Sequence, residues 1–345
     1  MKHDLLNILA EYDRLGIREQ IDYDKFYLYS IITHSTAIEG STVTEIEAQL
    51  LFDEGITSNK RSLVEQMMNL DLKNAYEYGI KWIKKHPKIT VDSLIALSAK
   101  VMANTGSEYH TLMGDFSAAK GELRKVNVTA GFGGTSYMSC LKVPSHLEAF
   151  CTELNKRRAD IDSTNVIAVY ALSFWAHFQL VTIHPWADGN GRTSRLLMNL
   201  IQWEFDALPS KVQKEDKAEY IQALVDAREK DDSNIFTDCM MRLHAQHLQA
   251  DIVRYRASTS GEMADKQAIK DNLIRKWSIK PSLAEKLADI LCFMTDKEIA
   301  TTEIIIQHFG FTDTTAKRYM RQLTEFGYLE AQGANKNRTY KLKHN

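Results

Sequence analysis

The residues of this chain best suited to chemistry lie together from His184 to Arg195, which reads His-Pro-Trp-Ala-Asp-Gly-Asn-Gly-Arg-Thr-Ser-Arg. Gly189 and Gly191 flank Asn190 and open backbone conformations closed to residues with a Cβ, so successive N–H groups can converge on an anion. A helix starting here adds unpaired N–H groups and the positive end of its dipole. Arg192 and Arg195 project from nearly one face of its first turn, where cations oppose the dipole unless an anion neutralises them. Their forked donors suit phosphate oxygens. Asp188 supplies a hard carboxylate beside that anion, which suits a Mg²⁺ ion bridging phosphates and completed by water. His184 titrates near neutrality and can serve as a base.

The loop resembles the Fic/Doc family motif, His-x-Phe-x-(Asp or Glu)-Gly-Asn-Gly-Arg-x-x-Arg, at every position except Trp186, which stands where the family usually has Phe. The resemblance implies transfer of AMP from ATP to a hydroxyl of a protein. It makes His184 the base, Asp188 the Mg²⁺ ligand, and Asn190 with the Gly189 and Gly191 backbone the anion hole. Arg192 would hold the β-phosphate and Arg195 the γ-phosphate. Relatives that transfer a phosphoryl group usually have Lys in place of the second glycine; Gly191 favours AMP transfer. Ser35-Thr36-Ala37-Ile38-Glu39-Gly40 looks like the family's inhibitory motif, with Ser35 and Glu39 on one helical face. That likeness implies that Glu39 pairs with Arg195 and takes away the guanidinium that should hold the γ-phosphate, so that ATP could bind only in an unproductive pose. Some relatives use this Glu to align a water that removes AMP. The resemblance covers about residues 20 to 250.

These residues need a frame. The segments flanking the loop, Val166 to Val181 and Leu196 to Phe205, are apolar on nearly every helical face, as expected of buried helices that hold a rigid site. A helix from about Asp24 to Gly40 carries Ser35 and Glu39. Thr44 with Glu47, and Ser145 with Glu148 after Pro144, read as capping boxes, and Val64 to Trp82 as a long helix. Between Gly114 and Val143 the periodicity changes, and alternation around Val126, Asn127 and Val128 before Gly131, Gly133 and Gly134 predicts a β-hairpin. Its place resembles the Fic flap, which holds the target by strand addition. His177 reads as a hydrogen-bonded core histidine and Trp186 as a core anchor. Tyr220 is a candidate for stacking on the base. The family's adenine contact, often an Asn, falls where this chain has Asp226-Ala227-Arg228-Glu229.

The expected fold class is mainly α: a Fic-fold helical core with a short β-hairpin flap, plus a small C-terminal winged helix-turn-helix domain. The expected boundaries are 1–85 for an N-terminal helical region, 86–250 for the catalytic core, 251–280 for a polar linker and 281–345 for the winged-helix module. In the module, Ser282 with Glu285 and Thr295 with Glu298 read as helix starts. Lys317, Arg318 and Arg321 on one helix, with Lys336 and Arg338 on the wing, could meet a DNA backbone, against nearby acidic residues such as Glu303 and Glu325.

Composition narrows the classes. The 345 residues are 44% hydrophobic and 26% charged, with a net charge of -2, an ordinary globular balance that gives no overall attraction to nucleic acid or anionic membrane. The 4 cysteines lack metal or disulfide spacing and fit a reducing cytoplasm. No apolar run reaches the ~18 residues a membrane span needs. The expected function is a protein adenylyltransferase using Mg²⁺ and ATP, acting on a Ser, Thr or Tyr of a protein and on itself, with a homodimer and DNA as candidate partners. The alternatives are a nucleotide-sensing DNA-binding regulator and an AMP-removing enzyme.

Overall fold

Short-range signals set most helix starts. The structure, a computed structural model, describes residues 2–129, 136–259, 262–295, 299–333 and 338–343. It divides into two units, Met1–Ala250 and Asp251–Asn345. The first holds α1 (Lys2–Arg14), α2 (Tyr23–Ile38), α3 (Glu45–Glu54), α4 (Leu63–Ile83), α5 (Val91–Val101), the two-stranded β1 (Glu108–Tyr109) and β2 (Phe116–Ser117), then α6 (Val143–Asp160), α7 (Val166–Ile183), α8 (Asn190–Glu204), α9 (Lys217–Glu229) and α10 (Ser233–Thr259) as far as Ala250. Thr44 and Glu47 form the expected capping box of α3; Ser62 with Glu65 and Thr90 with Ser93 do the same for α4 and α5. The box expected at Ser145 and Glu148 does not form. Pro144 already supplies a first-turn residue without an N–H, and Ser145 Oγ bonds the Lys142 carbonyl instead.

α7 and α8 are the centre of this unit. Tyr170, Phe174 and Ala176 on α7, and Leu196, Leu197, Leu200 and Ile201 on α8, have no exposed surface, each large apolar side chain contributing about 1.5–3 kcal/mol by leaving water. By length and composition alone α7 would also pass as a membrane span, against the expectation that no run reaches that length. It is 61% buried inside this unit, packed along α8 and α6. Polar groups cross-brace the same core: Tyr76 Oη on α4 donates to Asn199 Oδ1 on α8 at 2.7 Å, and Asn199 Nδ2 donates to the Ser210 carbonyl at 2.8 Å. Gln202 Nε2 reaches Ser173 Oγ on α7 at 2.9 Å.

The expected hairpin is a less regular flap. Among the described residues its arms are joined by one antiparallel bridge, Thr129 to Ser136, and by Tyr137 N–H donating to the Val128 carbonyl at 3.1 Å. Gly131, Gly133 and Gly134 lie outside the described residues.

The second unit holds α11 (Glu262–Trp277), α12 (Pro281–Thr295), β3 (Ala300–Thr301), α13 (Thr302–Phe309), α14 (Asp313–Glu325), β4 (Leu329–Gln332) and β5 (Thr339–Leu342). The strands form an antiparallel sheet in the order β3-β5-β4, with Ala300 and Ala331 both opposite Tyr340. Its core includes Leu287, Leu291, Met294, Met320 and Leu323. Three expectations are corrected here. Residues 251–280 are not a linker: α10 continues to Thr259, α11 fills 262–277, and Leu273 is fully buried in the core, its apolar neighbours outweighing the polar composition. Thr295 ends α12 rather than starting a helix, and Glu298 lies outside the described residues. Glu285 pairs with Lys266 and Lys270 instead of capping.

Tyr76→Phe removes the donor to Asn199 and leaves that buried carbonyl oxygen unmet. The expected cost is about 1–3 kcal/mol, read as a lower midpoint in urea unfolding with the slope unchanged; an unmoved midpoint would show that the brace adds nothing.

Candidate active site

The turn between α7 and α8 is fixed from both ends. His184 caps α7 in the left-handed conformation, φ 53° and ψ 62°, and Gly189 caps α8 at φ 80°. A Cβ on Gly189 would lie 2.6 Å from Met102 Sδ. Between them Trp186, with no exposed surface, donates its indole N–H to the Gly121 carbonyl at 2.8 Å. Asn190 braces the loop from within: its Oδ1 accepts from Trp186 N–H at 3.0 Å and its Nδ2 donates to the Trp186 carbonyl at 2.9 Å. This corrects the expectation for Asn190. Its amide side chain is tied to the Trp186 peptide, so the backbone N–H groups of Asn190, Gly191 and Arg192 in the first turn of α8 are the main donors left for an anion.

The two arginines differ in their partners. Arg192 is 3% exposed, and its Nε and Nη1 have no hydrogen-bond partner among the described residues; Nη2 reaches Asp188 Oδ1 at 3.5 Å. Burial lowers its pKa while Asp188 opposes the fall. Two desolvated nitrogens of a cation, left open beside a helix N-terminus, are suited to receive an anion. Asp188 also accepts from Gly189 N–H at 2.6 Å, yet 58% of its side chain is exposed.

Arg195 has a partner at every nitrogen. Its Nε donates to Ser35 Oγ at 2.8 Å, its Nη2 to the Ser35 carbonyl at 2.9 Å and to Glu39 Oε1 at 2.6 Å, and its Nη1 to Tyr220 Oη at 3.4 Å. The last turn of α2 and its capping residue Glu39 thus occupy the guanidinium. Burial alone would raise the Glu39 carboxyl; the charges of Arg195, Arg192 and Lys217 outweigh it and hold the group below its usual value. Gly191 permits this approach, since a Cβ there would lie 2.5 Å from Glu39 Oε1 and 3.0 Å from Arg195 Nη1.

His184 Nδ1 lies 3.3 Å from the Val181 carbonyl, a contact that assigns the proton to Nδ1 and leaves Nε2 its lone pair. Burial pushes the imidazole down to about 4, with Arg124 and Arg228 acting the same way against the Val181 contact and Glu39. It is therefore neutral at pH 7.

The expectation that Tyr220 stacks on a base is overturned. The residue is 1% exposed, its ring is edge-on to His177 and Phe236, and its hydroxyl sits between Arg195 and His177 Nε2, the latter at 2.9 Å. Burial keeps His177 neutral. In the flap, the Val126 carbonyl accepts from Arg124 at 2.8 Å, the Val128 carbonyl from Tyr137, and Asn127 Oδ1 from Cys140 N–H at 2.9 Å. An added strand would have to use the opposite side, at the Asn127 peptide.

Sequence reasoning gave no role to three residues that meet here. Arg124, 2% exposed, reaches the His184 carbonyl at 2.7 Å. Tyr137 stacks on the His184 ring, with centroids 3.7 Å apart and planes at 18°, and Arg228 lies 5.4 Å from the Tyr137 ring centre. Only Arg228 had a signal, as a cation where the family's adenine contact was sought. In the second unit, Lys317 pairs with Asp313 and Arg321 with Glu325, both at 2.7 Å, Arg318 lies over Tyr319, Arg338 is exposed, and Lys336 lies outside the described residues.

Comparison with known proteins agrees with this geometry. Residues 88–202 match the Fic/DOC family model. The chain is 26% identical over 255 residues to protein adenylyltransferase fic-1 of Caenorhabditis briggsae, covering 73% of this chain and 46% of that protein. It is 29% identical over 203 residues to protein adenylyltransferase Fic of Nematostella vectensis, covering 58% and 43%. The chain thus spans less than half the length of these relatives. In fold it is similar to Fic-1 from C. elegans, with a TM-score of 0.56 and 23% identity over 74% of this chain and 72% of that one. A Fic family protein from Desulfovibrio desulfuricans G20 aligns over 99% of this chain and 96% of that one, with a TM-score of 0.55 and 18% identity.

The low value of His184 has a consequence for stability. Its folded pKa lies below the unfolded value near 6.5, so the stability this provides is present above pH 6.5 and is lost as pH falls toward 4. Buried His244, held near 3, acts in the same direction. Between pH 6.5 and 5 the wild type should lose stability, and His184→Gln should reduce that loss by about 1–2 kcal/mol. Equal losses in urea titrations of the two proteins would refute the assignment.

Proposed function

We propose that this chain, whose residues 88–202 match the Fic/DOC family model, transfers AMP from ATP to a hydroxyl of a protein and that Glu39 holds it in check. The observation that carries the reading is Arg192, a buried guanidinium with two nitrogens open among the described residues at the start of α8, on the same loop as a neutral His184. The names of the relatives, protein adenylyltransferases, support it.

In this reading the target hydroxyl gives its proton to His184 Nε2 and its oxygen bonds to the α-phosphorus. The bond from that phosphorus to the bridging oxygen breaks, and pyrophosphate leaves. The α8 N-terminal amides and Arg192 stabilise the charge that moves onto the phosphates. Asp188 fits a Mg²⁺ ion held in the usual way by one protein carboxylate, substrate phosphates and water, and no group of three or more His, Cys, Asp or Glu that could cage a metal exists among the described residues. Such an ion would neutralise phosphate charge and orient the leaving group. Arg195 is the γ-phosphate ligand in the active state, and the Glu39 carboxylate takes that place at rest. Cys140, Cys151 and Cys239 hold free thiols, which supports a reducing cytoplasm as the compartment.

The DNA-binding alternative is less favoured, because Lys317 and Arg321 are each neutralised by a carboxylate of their own helix. ATP labelled at the α- or γ-phosphate, offered to wild type, Glu39→Gly and His184→Ala with Mg²⁺, tests the proposal. Label should reach protein from the α-position alone, rise about tenfold or more in Glu39→Gly and vanish in His184→Ala, the scale expected for a positioned base. Transfer from the γ-position, or full transfer in His184→Ala, would overturn it.

A further inference from the structure

We propose that Arg124 is a positioning residue that locks the flap to the peptide of the catalytic base, so that a target held by the flap and the His184 imidazole keep one fixed separation. The proposal rests on the AMP-transfer reading of the site. Arg124 stands in the first arm of the flap and is 2% exposed. Nε donates to the His184 carbonyl at 2.7 Å, Nη1 to the Val126 carbonyl at 2.8 Å and Nη2 to the Met138 carbonyl at 2.6 Å. Its own N–H donates to the Pro185 carbonyl at 3.0 Å. One residue therefore joins the flap to the start of the catalytic loop: its planar cation ties both arms to the His184 carbonyl, and its backbone N–H holds the Pro185 carbonyl.

The chemistry of the partners explains why an arginine is needed. His184 leaves α7 in the left-handed conformation, and the next residue is a proline, so its carbonyl is turned out of the helix. The guanidinium meets that carbonyl while its two other arms meet carbonyls converging from opposite sides of the flap. A rigid fork can hold three acceptors at fixed angles; the single ammonium of a lysine cannot. All three side-chain acceptors are neutral carbonyls. A buried cation spread over three peptides aligns those peptides, whereas a simple ion pair would only neutralise charge. Tyr137, next to Met138, lies on the His184 ring at 3.7 Å, so the arm held by Arg124 also settles the face of the imidazole.

The test uses Arg124→Lys and Arg124→Met in the full chain carrying Glu39→Gly. It measures ATP binding by titration, self-labelling from α-labelled ATP, and amide hydrogen exchange. Arg124→Lys should bind ATP within about twofold of its parent yet label itself about tenfold or more slowly, through kcat with KM for ATP unchanged. The Arg124 and Tyr137 amides should exchange faster, those within α8 as before. Unchanged labelling would overturn the proposal. So would exchange rising equally through α7 and α8, since Arg124 would then be a plain structural residue. If Arg124→Met does not fold, Arg124→Lys alone decides. If the Glu39→Gly parent transfers no label, the AMP-transfer reading fails by itself; faster exchange confined to the flap would still support the lock, and unchanged flap exchange would refute it.

Discussion

Arg195 is a guanidinium with almost no access to water, 2% exposed, and among the described residues the one charged group bonded to it is the Glu39 carboxylate. Leaving it alone in a core would cost several kcal/mol, whereas a pair with good geometry roughly balances its own desolvation. The site therefore has two stable conditions, each defined by which anion meets Arg195. One is the Glu39 carboxylate at the end of α2. The other, in the AMP-transfer reading, is the terminal phosphate of the nucleotide. Ser35 and Tyr220 hold the guanidinium from its other sides. Behind Tyr220 the buried, neutral His177 completes a chain of hydrogen bonds that does not depend on which anion is present.

Arg192 behaves otherwise because its carboxylate, Asp188, is largely in solvent and touches only one nitrogen. The cation is buried yet half-served, which is affordable only where the surrounding frame cannot collapse onto it. That frame is rigid for identifiable reasons. α7 and α8 are apolar on most faces, Trp186 anchors the loop between them, and Asn190 ties the loop to itself. Preorganised donors that do not have to move when charge arrives are worth more than the same donors in water.

The local chemistry of the loop was legible in the sequence because residue types and spacing alone constrain a short segment joining two helices. The same holds for the pair of Ser35 and Glu39, one helical turn apart, and for the capping box at Thr44. What could not be read depended on distant parts of the chain. Arg124 looks like any solvated cation in an alternating strand until the fold brings the His184, Val126 and Met138 carbonyls around it. Tyr220 has the composition of a stacking residue, and only the packing of Phe236 and His177 shows that its ring is shut away. Asn190 lies in the motif, but the direction of its amide depends on Trp186. Residues 251–280 are polar enough to suggest a linker, and the apolar positions that make them helical, Leu273 among them, are too sparse to stand out without the core they join.

In the AMP-transfer reading, Gly191 would make the resting state sensitive to the supply of nucleotide. With no Cβ, it leaves just enough room for the Glu39 carboxylate against the first turn of α8, and that is where a terminal phosphate would arrive. Two anions that need the same few cubic ångströms cannot be bound together, so restraint of this kind is a competition and not a locked door. For a site open in only a fraction of molecules, the apparent dissociation constant rises by the inverse of that fraction, about a hundredfold for an open population near 1%. The strength of the contact between Glu39 and Arg195 would then set the ATP concentration at which the chain begins to respond.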